Sequence, residues 1–482
     1  MPKFISAHVT TQITRQQIEQ LVKRFADASS GGIRNLRLQC NTIVGRMICE
    51  WEAPDADALM DWLESLNVRF RGSGEWMMRV DVEAVGKATV ASEAAAVVAT
   101  PKDEITAAAL REKMEGDEDL VLLDVRSEEE FERWQIEGRR TPQTVNVPYH
   151  LFLEKERASL AQVPPDKDVV VVCAVGGASA NTARLLRERG YRAVNLSSGI
   201  VGWGQHYAFR PVAVEDDFTI HQVDRVGKGC LSYVLIADGQ MMVVDPSRHV
   251  DEYVRFAKEQ GVAITHVFDT HAHADHLSGG GALAQRTEAR YFLHPYDAIH
   301  PMDVLPATIH FAPCWDGQTF QVGPLNVQVI HTPGHTLGIV SLLVNNRYLF
   351  TGDTLFINSF GRPDLGGQGE AWSHILYRTL RELRENLSDD LLILPGHYST
   401  PREANAQGLF AATVGDLRRS NEGLTPRSEE EFVRYVLTRL PHFPSEYVDI
   451  KRINLGLLDV DEEKATELEL GKNVCALETT GF

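Results

Sequence analysis

Cysteine is scarce in this chain, six in 482 residues, and the six show no disulfide-like spacing. That pattern fits reduced thiols in a cytosol and argues against a secreted, cross-linked scaffold. Positive charge is also short. Lys and Arg number 48 against 67 Asp and Glu, a formal charge of −19. General binding to nucleic acid or to an anionic membrane needs a basic footprint, so neither partner is expected. No run is long and apolar enough to span a bilayer. The opening Met1-Pro2-Lys3-Phe4 lacks the basic-then-apolar pattern of a signal peptide, and a cytoplasmic place is expected. Internal repeats and low-complexity tracts are missing too. What is present is an ordinary globular composition, 43% hydrophobic and 24% charged, in a chain long enough for about three domains.

The expected fold class is multidomain α/β and α+β. Residues 1–84 read β-α-β-β-α-β. "KFISAHVT" is extended, "TRQQIEQLVKRFADA" helical, and "IRNLRLQC" and "TIVGRMICEWEA" strand-like. "DADALMDWLESL" is a second helix with Pro54 and Asp55 at its cap, and "EWMMRVDVEA" closes the set. That order is the ferredoxin-like split unit. The segment resembles small ferredoxin-like domains with a similar opening, some of which bind nickel. His8 is the first residue to weigh for such a role, and a lone strand histidine reads as structural. Residues 85–102, rich in Ala and Val, read as a linker. From 103 to 212, apolar strands ("LVLLDVR", "VVVVCA", "AVNLSSG") alternate with helices, which indicates a parallel α/β sheet. Residues 213–482 read as a separate, larger α/β domain with a C-terminal extension.

The densest chemistry is "THAHADHLSG", 270–279, directly after the strand-like "ITHVFDT". His271, His273, Asp275 and His276 lie there, and other strand ends supply His335 in "HTPGHTLG", Asp353 in "FTGDTLF" and His397 in "LPGHYST". Loops leaving one edge of a sheet converge in space. Imidazole and carboxylate donors suit zinc or iron. H-x-H-x-D-H, T-P-G-H-T, G-D-T and P-G-H together resemble the metallo-β-lactamase fold family over residues 215–400. The resemblance implies an αββα sandwich with a metal site at one edge.

Two branches of that family imply two sites. In the glyoxalase II branch two Zn²⁺ are held, one by His271, His273 and His335, the other by Asp275, His276 and His397, with Asp353 bridging. A bridging hydroxide then attacks a thioester. In the persulfide dioxygenase branch one Fe(II) per chain is held by His271, His335 and Asp353, and the other four residues orient ligands and move protons. "FGRPDLGG", 360–367, resembles a stretch of the dioxygenases in which Arg362 is implied to pair with a substrate carboxylate. "PHFPSEYVDIKRINLG", 441–456, and "GKGCLSYVL", 227–235, resemble rhodanese-fused members. Glutathione-using dioxygenases read P-A-H-D-Y or P-G-H-D-Y. Here "PGHYST" lacks the Asp and brings Tyr398, the second substrate-binding candidate, one place early.

"VVVVCAVGGASANTARLLRERG", 169–190, together with "LLDVRSEEEF" and "VNLSSGIVGWG", resembles a rhodanese domain over 101–212. Backbone N–H groups and the helix N-terminus surround Cys173 and favour its thiolate, the nucleophile. Gly176 and Gly177 let the loop curl, and Ser179 completes a Cys-x-x-Gly-x-x-Ser frame. The arginines of the usual C-R-x-G-x-R-S loop are absent, which disfavours anionic sulfur donors. Asp124 and Arg126 read as structural. Cys40, Cys49, Cys230, Cys314 and Cys475 read as core or incidental thiols, and His294, His300 and His331 as structural.

A sulfur-carrying cysteine fused to this metal domain favours sulfur chemistry. The leading expectation is a persulfide dioxygenase that takes a low-molecular-weight thiol persulfide and O₂. Cys173 passes sulfur in a direction the sequence leaves open. The alternatives are a two-zinc thioester hydrolase and a sulfur-relay or sensing protein without turnover at the metal. A homo-oligomer is expected, of unspecified order.

Overall fold

The structure, a computed structural model, describes residues 3–9, 23, 25, 33–41, 46–65, 76–80, 103–116 and 118–477. The chain divides into two compact units, 1–104 with 147–163, and 105–146 with 164–482.

The first unit holds a four-stranded sheet. Lys3–Val9 lies between Arg46–Glu52 and Trp76–Val80, and Arg34–Asn41 pairs with the far side of Arg46–Glu52. All three pairings are antiparallel. The helix Ala56–Ser65 follows the third strand, and the Asp55 carboxylate accepts from the Ala58 N–H at 2.8 Å, the cap expected there. Phe25, Trp51, Leu59 and Leu63 form its core, with the Phe25 and Trp51 rings edge to face at 5.0 Å. Apart from Lys23 and Phe25, the expected first helix lies outside the described residues, as does the expected linker 85–102. His8 pairs with Met47 across the sheet, and its side chain is likewise outside the description. The helices Tyr149–Glu154 and Glu156–Leu160 also belong to this unit.

The second unit begins with a parallel sheet. Gln143–Asn146, Leu120–Asp124, Asp168–Val172 and Arg192–Leu196 stand side by side in that order, all parallel. Val169 to Val172 are all buried, as a parallel strand covered on both faces requires. The helix Ala107–Glu115 starts at Thr106, whose hydroxyl accepts from the Ala109 N–H. Arg126 grips Asp124 and the Trp134 carbonyl, so this pair is structural, as the sequence suggests.

Two further sheets, of seven and six strands, pack face to face. Between them Phe268, Phe292 and Phe320 pack with centroids 4.5 to 5.0 Å apart. Each such buried side chain contributes about 1.5–3 kcal/mol. Helices Asp251–Gln260 and Gly280–Thr287 cover the outer face of one sheet through Tyr253, Phe256 and Leu283. Helix Gly369–Asn386 covers the other through Leu376, Leu380 and Leu383, spaced to form one apolar stripe. The result is the expected αββα sandwich. The C-terminal helices Glu446–Asn454 and Glu462–Leu468 pack over the histidine-rich loop through Tyr447, Ile450 and Leu468 against Ala274 and Leu277.

The parallel-sheet region and the sandwich share one tight joint. The Trp134 indole donates to the Gly227 carbonyl at 3.0 Å, and Arg225 Nε donates to the Gly204 carbonyl at 2.9 Å. Arg111 pairs with Asp224 at 2.9 Å. A Cβ on Gly227 would lie 2.6 Å from Gly204 Cα, so glycine is required there. Among the described residues, no helix is long and apolar enough to cross a membrane.

Candidate metal centre and sulfur loop

The ligand candidates leave the ends of four strands. Ala263–Phe268 leads into the loop with His271, His273, Asp275 and His276, and Leu325–His331 leads to His335. Tyr348–Gly352 ends at Asp353, and Leu392–Pro395 runs into His397. All seven are buried. Glycine lets these loops close up. A Cβ on Gly361 would lie 2.0 Å from the Asp353 carbonyl and 2.7 Å from His335 Nδ1.

Three of them converge on one point. His271 Nε2 is 3.8 Å from Asp353 Oδ2, and His335 Nε2 is 3.4 Å from it. None of these three buried atoms has a hydrogen-bond partner. The opposite edge of each group is held. Thr270 Oγ1 donates to Asp245 at 2.9 Å, so it accepts from His271 Nδ1–H at 3.0 Å. His335 Nδ1–H donates to the Arg362 carbonyl at 2.8 Å. Asp353 Oδ1 accepts from His397 Nδ1–H at 2.5 Å. Both histidines thus turn an Nε2 lone pair toward Asp353 Oδ2. Ligand bonds of about 2.1 Å place donor atoms roughly 3–3.5 Å apart, so the triad fits an ion after small movements. Burial lowers both imidazoles, His271 well below its usual value and His335 to about 4 against the pull of Asp353. Burial alone would raise Asp353, but His397 outweighs it and keeps the carboxyl low. Two neutral imidazoles and a carboxylate therefore face one another at neutral pH.

His273 is turned elsewhere. Its Nε2 lies 3.2 Å from Asp245 and 3.9 Å from Asp269. Burial would lower this imidazole, yet Asp245 and then Asp269 push it up to about 9. Asp275, His276 and His397 form another group, joined by Cys230, whose thiol donates to Asp275 at 3.2 Å. His397 lies between two carboxylates, with Nε2 2.9 Å from Asp275 and Nδ1 on Asp353. Burial opposes its charge, but Asp275 and Asp353 hold the imidazole well above its usual value. Asn454 of the C-terminal extension donates to the carbonyls of His273 and His276, both at 2.9 Å, and fixes the loop.

Both substrate-binding candidates are corrected. Arg362 is fully buried, and its guanidinium donates to both Asp364 oxygens at 2.7 and 2.8 Å and to the carbonyls of Pro441, His442 and Val474. No N–H is left for a substrate carboxylate. Tyr398 is buried, stacks on Phe410 at 3.7 Å, and donates to Asp224 Oδ1 and the Val226 carbonyl. It braces the joint with the parallel-sheet region. Sequence reading missed Asp245, Asp269 and Asn454, and took Cys230 and Cys475 for incidental thiols. Cys475 lies close to Asp353 and His397. The signal for Asp245 and Asp269 was their place at strand ends, in "VVDP" and "FDT". Cys230, Cys475 and Asn454 carry no local signal.

In the sulfur loop, Cys173 follows the strand Asp168–Val172 and precedes the helix Gly177–Glu188. Its Sγ accepts from the Gly176 N–H at 3.1 Å and from the Ser179 hydroxyl at 3.0 Å. Gly176 takes φ 99°, a left-handed conformation suited to glycine. Gly177 opens the helix, with nothing within 4 Å of where its Cβ would be.

The family described as Metallo-beta-lactamase superfamily matches residues 225–397, and Rhodanese-like domain matches residues 106–206. Among curated proteins the chain is similar to the hydroxyacylglutathione hydrolase of Rhodospirillum rubrum, 32% identical over 44% of this chain and 75% of that one. It is also similar to persulfide dioxygenase ETHE1, mitochondrial, of Bos taurus, 29% identical over 43% of this chain and 76% of that one. Among solved structures it is similar to ETHE1 from Myxococcus xanthus, 26% identical with a TM-score of 0.41, over 52% of this chain and all (100%) of that one.

Proposed function

Because the chain belongs to the metallo-beta-lactamase superfamily and carries a rhodanese-like domain, we propose that it is a persulfide dioxygenase with a sulfurtransferase cysteine. The reaction is R–S–SH + O₂ + H₂O → R–SH + HSO₃⁻ + H⁺. The observation that carries this reading is the facing of three unpartnered buried atoms, His271 Nε2, His335 Nε2 and Asp353 Oδ2, while His273 is drawn aside by Asp245 and Asp269. Two imidazoles and one carboxylate would suit one Fe(II), held by His271, His335 and Asp353, with substrate and O₂ as the remaining reactants. When bound there, Fe(II) supplies the redox chemistry by which O₂ oxidises the terminal sulfur. His271 and His335 bind without first losing a proton, since burial keeps them neutral. His397 keeps a proton on Nδ1 beside Asp353 and orients that carboxylate toward the two imidazoles. Cys173, with two donors on its sulfur, receives or delivers the sulfane sulfur. We assign residues 103–212 to the rhodanese-like domain, 213–482 to the metal domain with its extension, 85–102 to a linker, and 1–84 to a ferredoxin-like domain, whose antiparallel strand order supports that reading.

A second reading has its own observation. Cys230, Asp275, His276 and His397 could hold another ion, which would make the centre binuclear and hydrolytic. Anaerobic purification, metal analysis and O₂ uptake on adding glutathione persulfide separate the two. We expect one iron per chain, with O₂ consumed and sulfite formed. Two zincs with thioester cleavage and no O₂ uptake would make the protein a hydrolase.

A further inference from the structure

Beside the triad lies a cavity of about 330 Å³. Thr336 and Leu337, the two residues after His335, form part of its wall, and Tyr296, Ile299 and Trp372 supply apolar surface. Tyr296 and Ile299 are exposed at the rim, so the cavity opens to solvent. Its floor includes Lys451, from the helix Glu446–Asn454.

Lys451 is 4% exposed. Among the described residues its ammonium makes no hydrogen bond and no ion pair. Lysine is seldom buried without a partner, because its charge is then left without a direct ligand, and here the residue faces the cavity. The carboxylates whose charge reaches it are already engaged. Asp297 accepts from the Ala272 N–H, the Thr336 hydroxyl and the Gly338 N–H, each at 2.8 Å. Asp353 accepts from His397 and faces the triad.

We propose that Lys451 is the anion-binding post of this cavity and takes a carboxylate of a small thiol persulfide. The carboxylate supplies the direct hydrogen-bond partner that the ammonium lacks beside Asp297, and the apolar walls take the carrier's aliphatic part. Ligand cavities span roughly 300–1,000 Å³. This one is at the small end, which suits a carrier of peptide size over one bearing a nucleotide. Lys451 thus takes the task that the sequence pattern suggests for Arg362. The persulfide part of the proposal rests on the dioxygenase reading, while the carboxylate part rests on the cavity alone.

The test is calorimetric titration of the metal-bound protein, without O₂, using glutathione, its diethyl ester and coenzyme A. Because the thiol is the product, binding is read without turnover. Wild type should bind glutathione about 10-fold or more tightly than the diester or coenzyme A. Lys451→Met, close in volume, should lose about 10–100-fold in glutathione affinity with the diester unchanged, as expected for one charge-assisted hydrogen bond or more. Lys451→Arg should keep the preference for the acid. Ile299→Trp, at the rim, should weaken both ligands alike. Equal affinity for acid and ester in wild type, or full glutathione affinity in Lys451→Met, would overturn the proposal. Tighter binding of coenzyme A would overturn the small-carrier assignment. O₂ uptake with glutathione persulfide is measured on the same samples. A carboxylate preference without uptake keeps the post and refutes the dioxygenase, and uptake without the preference does the reverse.

Discussion

Two donors, the Gly176 N–H and the Ser179 hydroxyl, converge on the Cys173 sulfur, and the proposed sulfur transfer depends on them. Cys173→Ser should abolish sulfur transfer to an acceptor thiol while O₂ uptake with a free persulfide continues. A sulfurtransferase assay beside an oxygen electrode reads both. Ser179→Ala removes one donor at 3.0 Å and should slow transfer about 10-fold, the worth of a hydrogen bond to a developing charge. At this scale the sequence was most legible where function packs residues close along the chain. The H-x-H-x-D-H run and the Cys-x-x-Gly-x-x-Ser frame both stand where the spacing implied. Arg362 was misjudged for a plain reason. A cation in a motif looks available until the groups around it are known, and Pro441, His442 and Val474, which occupy Arg362, lie about eighty residues or more away.

The C-terminal extension is the element with the clearest energetic role. Glu469, at the end of the helix Glu462–Leu468, accepts from Arg225 at 2.9 and 3.0 Å, from Arg248 at 2.7 Å and from the Leu277 N–H at 2.8 Å. Burial would raise this carboxyl, but Arg225 and Arg248 hold it far below the ordinary glutamate range. A depressed folded value stabilises the protein above the unfolded value, near pH 4. That contribution is lost as pH falls below it, by about 1.4 kcal/mol per unit. Glu469→Ala leaves Arg225 buried without its partner and should cost about 3–5 kcal/mol at neutral pH. Urea midpoints for wild type and variant at neutral and acid pH would converge as the carboxylate is protonated. A constant gap would refute the assignment. Elements were readable wherever composition repeats with a period, as in "VVVVCA" and the stripe of the helix Gly369–Asn386. The extension's purpose was hidden, because its partners Arg225, Arg248 and Leu277 lie about two hundred residues earlier.

Across the whole molecule, the rhodanese-like region and the metal domain meet backbone to backbone at Gly204 and Gly227. Any side chain at 227 must push the two apart, so Gly227→Val should destabilise the pair by about 1–3 kcal/mol or more. Limited proteolysis should then cut between the two regions, near residues 205–206, faster than in wild type. Unchanged protection would mean that the joint yields. The order of regions along the chain was legible from alternating strands and helices. Their direct packing was not, because Trp134, Arg111 and Gly227 show no pattern that marks an interface. One carboxylate, that of Glu469, answers to Arg225, which also holds Gly204 of the rhodanese-like half, and to Leu277, next to His276 of the histidine-rich loop. Fused genes usually keep the freedom to exchange their parts. Here a replacement at either side, or for the tail, would have to bring a matching charge of its own.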